Sequence, residues 1–164
     1  NATVALGCEL TDLAQYADSV SICLSKGLGA PVGSVLCGDK DTIKWARRWR
    51  KMVGGGMRQA GVLAAAGIYA LENHVERLAK DHAKAKILAD RLEQYDALSV
   101  KPDLVQTNMV FIKTTADTAQ GLANYLAQKG VRIIAGETMR WVMHLDVTSE
   151  QLNYVCQQVE EYFS

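Results

Sequence analysis

The chain has 164 residues, 49% of them hydrophobic and 22% charged, so it can bury a substantial core and is not a disordered segment. Eighteen basic side chains balance 18 acidic ones to a formal net charge of zero, which argues against a protein that coats nucleic acid or an anionic membrane. The longest apolar run, residues 61–71, is too short to span a bilayer, and the opening Asn-Ala-Thr-Val carries no leader-like pattern. The chain is therefore expected to be processed or to be a piece of something longer.

The first structural pattern is the alternation of Asp18 to Leu24, rich in β-branched residues, which predicts a buried strand. A glycine-rich turn, 27–33, leads to a second short strand, Ser34 to Cys37. From Asp39 the pattern becomes helical, with Asp39 or Asp41 as cap and with Ile43, Trp45, Trp49, Met52 and Val53 facing inward. Gly54-Gly55-Gly56 ends that helix. Arg58 to Leu71 predicts an almost wholly apolar helix buried on most sides. Glu72 to Gln94 predicts a long amphipathic helix with Val75, Leu78, Ala79, Ala85, Leu88 and Leu92 inward. A strand at Met109 to Lys113 and a helix from Ala116 to Lys129, stopped by Gly130, come next. Strands at Val131 to Ile134 and Arg140 to Leu145 and a closing helix, Ser149 to Tyr162, complete a small α+β unit. The division expected is 1–72, the end of a larger α/β domain with linking helices, and 73–164, a small C-terminal α+β domain.

Cys8, Cys23, Cys37 and Cys156 are far apart, and His74, His82 and His144 lie near none of them in sequence, so no metal site is expected. Free, buried thiols in a reducing cytoplasm are the expectation. Lys26 carries the most chemistry. It follows a strand and precedes a glycine loop, so its amine either sits near an interior cleft, desolvated and nucleophilic, or snorkels outward as a surface lysine. The loop is not a dinucleotide fingerprint: its spacing is Gly-x-Gly-x-x-x-Gly, and Pro31 stands where a helix would begin. Gly54 to Arg58 before a helix predicts either an anion cradle or a flexible joint. Arg140, opening its strand, suits a carboxylate clamp or an edge ion pair. The cations Lys40, Lys44, Arg47, Arg48, Arg50 and Lys51, interleaved with two tryptophans, could suggest nucleic acid. The shared face of Trp45 and Trp49 and the neutral total charge favour inward packing and no nucleic-acid partner.

The stretch from Ser21 to Ser34, containing Ser25-Lys26-Gly27-Leu28-Gly29-Ala30-Pro31, closely resembles the cofactor-lysine segment of low-specificity L-threonine aldolases. Arg47 to Gly61, with Lys51-Met52-Val53-Gly54-Gly55-Gly56-Met57-Arg58-Gln59, resembles the segment that follows in that family. Arg140 to Thr148 resembles its C-terminal substrate-side strand. The resemblance runs in register through the chain. It implies an α/β fold, the C-terminal portion of a pyridoxal-phosphate-dependent enzyme of the aspartate-aminotransferase-like fold (fold type I), in a homo-oligomer, dimer or tetramer. It also implies roles: Lys26 bonded covalently to the cofactor, with Ser25 beside it; Arg58 at the cofactor phosphate, reaching across a subunit interface; Lys51 near the substrate; and Arg140 on the substrate carboxylate. The activity implied is cleavage of L-threonine and related β-hydroxy-α-amino acids to glycine and an aldehyde.

The family's His-x-Asp-Gly-Ala-Arg stretch, whose acidic residue pairs with the cofactor's ring nitrogen, is not in this sequence. The polypeptide by itself is therefore expected to be inactive, the N-terminal half of the parent being needed. Two alternatives stay open: a related β-eliminating lyase of the same fold, and a non-catalytic oligomerisation or binding module.

Overall fold

β1 (Ser19–Cys23) pairs antiparallel with β2 (Ser34–Gly38), in a register running from Ser19↔Gly38 to Cys23↔Ser34. The connecting loop turns on Gly29 and Gly33, whose φ values of 71° and 109° a side chain would resist. It closes on itself: the Leu24 amide donates to the Gly33 carbonyl and the Ala30 amide to the Leu24 carbonyl, both at 3.0 Å. The computed structural model describes all 164 residues, which divide into two units, Asn1–Leu78 and Ala79–Ser164. Two short helices that the sequence pattern did not announce, α1 (Ala2–Leu6) and α2 (Leu10–Ala14), precede the hairpin.

β1 is not the buried strand expected. Only Val20 and Ile22 are half-buried, and every residue of β2 is exposed, because the sheet has two strands and neither face is fully covered. Helix α3 (Lys40–Met52) starts on Asp39, whose side chain accepts from the amides of Asp41 and Thr42. Those hydrogen bonds, Thr42's above all, hold the Asp39 carboxyl below the usual aspartate range. Trp45 and Trp49 do not pack inward; they are 56% and 58% exposed, and the half-buried side is that of Ile43 and Ala46. The Arg48 guanidinium lies 5.6 Å from the centre of the Trp45 ring instead.

Helix α4 runs Gly61–Asn73, beginning later than expected. It is apolar but not buried on most sides. Gly67 and Ala70 are its buried residues, whereas Val62, Ile68, Tyr69 and Leu71 are exposed. Contact is made through the small residues, since a Cβ on Gly67 would stand 3.0 Å from Leu24 Cδ1. Leu24, Leu28, Ala30, Ala70 and Leu78 form this unit's small core, with Val4, Ile22 and Val75 against it. The helix expected over 72–94 is broken. The amide of His74 closes α4 on Ala70, the chain turns through 74–77, and α5 (Leu78–Leu92) begins afresh.

The second unit has the larger core. β3 (Met109–Lys113) and β4 (Thr138–Val142) pair antiparallel, burying Val110, Ile112, Met139 and Trp141 on one face. Leu88 and Leu92 of α5, Leu122 and Leu126 of α6 (Ala116–Gln128) and Val159 of α7 (Ser149–Phe163) meet that face with no solvent exposure. Each such side chain contributes about 1.5–3 kcal/mol through burial. Asp81 and Ala89 are buried on α5, whereas Ala79, expected inward, is exposed.

Residues 131–134 do not form the strand expected. Gly130, at φ 78°, ends α6 with its own amide on Ala127 and the Val131 amide on Leu126 at 2.9 Å, so the cap consumes the donor that would begin a ladder. β4 starts and ends earlier than the expected 140–145. The thiols also differ from expectation: Cys156 alone is buried, Cys23 and Cys37 are exposed and Cys8 is intermediate. Burial pushes the Cys156 thiol up, which keeps it protonated. No helix is long and apolar enough to cross a membrane.

Thr148 caps α7 in a reciprocal box, its hydroxyl accepting from the Gln151 amide at 3.1 Å while Gln151 Oε1 accepts from the Thr148 amide at 2.9 Å. Thr148→Ala is expected to cost about 1 kcal/mol. Equilibrium urea unfolding checks this; an unchanged midpoint would show that the box contributes nothing.

Candidate functional site

Lys26 sits where β1 gives way to the glycine loop, between two buried anchors, Leu24 and Leu28. Its carbonyl accepts the Gly29 amide at 2.9 Å. Next to it, Gly27 is closely packed, since a Cβ there would meet Leu78 Cδ2 at 3.1 Å and Asn1 Nδ2 at 3.3 Å and both side chains would have to give way. Lys26 lines an open concavity of about 580 Å³ whose apolar wall includes Ile22, Leu28, Leu71, Val75 and Leu78 and whose polar margin includes Asn1, Thr3 and Glu9. Of the two settings open for the amine, desolvated at a cleft or turned outward, these residues give the outward one: Lys26 is exposed. No ion pair engages it. Ser25, beside it, is exposed and does not line the concavity.

Lys51 and Arg58 stand apart from that concavity. Lys51 is in the last turn of α3, its side chain folded over the triglycine turn, where a Cβ on Gly56 would meet Lys51 Cδ at 2.6 Å. Of the two alternatives for Gly54 to Arg58, an anion cradle or a joint between helices, the backbone forms the joint. The Gly54 and Gly55 amides bond back to the carbonyls of Lys51 and Arg50, at 3.3 and 2.7 Å, and α4 begins only at Gly61. Arg58 is exposed in the intervening turn.

In the second unit, Arg140 is on the outward face of β4, directly opposite Phe111. The flanking bonds, Met143 amide to Asn108 carbonyl at 2.8 Å and Thr114 amide to Glu137 carbonyl at 3.0 Å, make Phe111↔Arg140 a non-hydrogen-bonded pair, the kind whose side chains approach most closely. The edge ion pair considered for Arg140 is absent; the guanidinium is exposed at a concavity of about 590 Å³ that Arg132 and His144 also line. All five residues singled out from sequence are thus accessible, and Lys26, Lys51, Arg58 and Arg140 are cations without carboxylate partners. Such groups are disposed to meet an anionic or carbonyl ligand.

Two contributors escaped sequence reasoning. His74 Nδ1 lies 2.6 Å from the Leu28 carbonyl and Arg77 Nη1 donates to the Gly27 carbonyl at 3.4 Å. With 46 and 50 residues of separation, no local spacing announces these contacts.

The fold is shared with two solved proteins. One, from Exiguobacterium sp. 255-15, is assigned as an aromatic amino acid beta-eliminating lyase/threonine aldolase; it matches with TM-score 0.79 and 18% identity, over 98% of this chain and 49% of its own. The other, from Listeria monocytogenes EGD-E, is assigned as an L-allo-threonine aldolase and matches with TM-score 0.77 and 20% identity, over 98% of this chain and 48% of its own. The chain therefore has the α/β architecture of the aspartate-aminotransferase-like class, fold type I. Residues 1–115 match the beta-eliminating lyase family, and the chain belongs to that family. It is 53% identical over 152 residues to the low specificity L-threonine aldolase of Escherichia coli K12, covering 93% of this chain and 45% of that protein. It is 43% identical over 159 residues to low-specificity L-threonine aldolase 1 of Arabidopsis thaliana, covering 94% and 44%. The chain spans about half the length of the curated relatives it matches.

Proposed function

We propose that this chain is the C-terminal part of a pyridoxal-phosphate-dependent threonine aldolase, which cleaves L-threonine and L-allo-threonine to glycine and acetaldehyde. The observation that carries the proposal is the 53% identity to an enzyme of that name, sustained over 93% of the chain. In this reading residues 1–72 end the larger cofactor domain and 73–164 form the small domain.

The donor set fits the cofactor's aldehyde end. Lys26 offers an accessible primary amine, without an ion-pair partner, at a concavity whose apolar wall suits a flat ring. Arg58, the cation assigned to the phosphate, does not line the concavity of its own chain. Its proposed role is toward a neighbouring copy, in a homo-oligomer that is a dimer or a tetramer. Pyridoxal 5′-phosphate, when bound, supplies the electron sink that lets a Cα–Cβ bond of an amino acid break. The chain's own residues do the rest by holding and orienting. Lys26 tethers the aldehyde carbon through its Nζ, with Ser25 beside it. Arg140 receives the substrate carboxylate in a two-pronged hydrogen-bonded grip and so fixes which bond faces the ring. Lys51 adds positive charge on the substrate side. The four unpaired cysteines support a reducing, cytoplasmic setting.

The test is turnover by the intact protein, supplied with cofactor, on L-threonine, L-allo-threonine and L-tyrosine. Acetaldehyde and glycine in equal amounts from the first two are expected, with none from the 164-residue polypeptide alone. Release of phenol and pyruvate from tyrosine, with threonine untouched, would replace the proposal with a β-eliminating lyase.

A further inference from the structure

We infer that His74 and Arg77 are positioning residues that grip the backbone behind Lys26 and so set where its amine stands. The inference rests on the role given to Lys26 above. The two carbonyls that follow Lys26, those of Gly27 and Leu28, are held by Arg77 Nη1 and His74 Nδ1 respectively. A carbonyl only accepts, so Nδ1 carries the proton. The imidazole is itself held, its ring meeting the Tyr69 ring edge-on at 5.6 Å and 89°.

The same few residues are immobilised from other directions. Leu24 and Leu28 are buried on either side, the Lys26 carbonyl takes the Gly29 amide, and Leu78 and Asn1 crowd the Cα of Gly27. The Lys26 side chain is left unbonded and exposed at the concavity. A locked main chain under a free amine is the arrangement a covalent tether needs, because the amine must meet a carbonyl carbon at one distance and angle. The break in the helix expected over 72–94 falls at 74–77, the segment that supplies both gripping side chains. That interruption gives up helical hydrogen bonds, and the grip is what it provides in exchange.

The experiment uses the intact protein freed of cofactor and then given pyridoxal 5′-phosphate, with borohydride added at timed intervals. Peptide mass spectrometry reads the adduct on Lys26 relative to the other lysines. His74→Asn keeps a donor at the position of Nδ1 and should trap on Lys26 within about twofold of the unaltered rate. His74→Phe keeps a ring but no donor, and Arg77→Met keeps the length but no donor; each should slow trapping on Lys26 about tenfold, with the other lysines unchanged. Should His74→Phe not fold, Arg77→Met carries the same comparison. Equal Lys26 rates in the folded variants would overturn the inference. An adduct found elsewhere in the unaltered protein would instead overturn the assignment of Lys26 itself, and the grip's purpose with it.

Discussion

Lys26→Ala in the intact protein is expected to abolish covalent cofactor attachment and to lower threonine cleavage by roughly three orders of magnitude or more, the scale on which losing a covalent catalytic group is felt. The fold should survive the change. Lys26 is exposed and its amine has no partner in the folded chain, whereas the anchors on either side, Leu24 and Leu28, are untouched. Surface replacements of this kind stay within about 0.5 kcal/mol. A thermal scan run beside the activity assay separates the two effects. Loss of activity with an unchanged transition supports a chemical role, and a large drop in stability would mean that the side chain was structural.

Arg140→Lys is the second large effect. The replacement keeps one positive charge but not the planar fork that meets both oxygens of a carboxylate. Arg140 points outward from β4, is exposed and carries no ion pair, so the fold should tolerate the replacement. The loss of one charge-assisted contact is worth about 1.5–3 kcal/mol, so KM for threonine should rise about 10- to 150-fold. Its kcat should also fall, because a carboxylate held at one point lets the breaking bond wander from its alignment. Steady-state kinetics on the intact enzyme reads both parameters. An unchanged KM would remove Arg140 from the substrate site.

The second unit was largely legible in the sequence because each of its elements carries its own complete signal. Met109 to Lys113 is a short apolar run with β-branched residues at 110 and 112, the two positions that are buried, Thr115 and Thr148 cap their helices, and Gly130 follows the end of α6. The exception was 131–134, where β-branched residues suggest a strand but the helix cap takes the first amide. The first unit was less legible for a physical reason. Over Asp18 to Leu24, at Trp45 and Trp49 and over Arg58 to Leu71, periodicity tells which face is apolar and not what covers it. In this chain Val20 and Ile22 are only half-buried, Gly67 and Ala70 alone are buried on α4, and Trp45, Trp49, Val62, Ile68, Tyr69 and Leu71 are exposed. The site divided the same way. Lys26, Arg58 and Arg140 stood out through local sequence and Lys51 through the family resemblance, whereas His74 and Arg77 make contacts across 46 and 50 residues, a distance that no spacing rule spans.

The most direct measurement is a peptide map of the intact protein after reaction with pyridoxal 5′-phosphate and borohydride. A single reduced adduct per chain, on Lys26, is expected. An adduct confined to any other lysine, or none at all in a protein that still cleaves threonine, would contradict it.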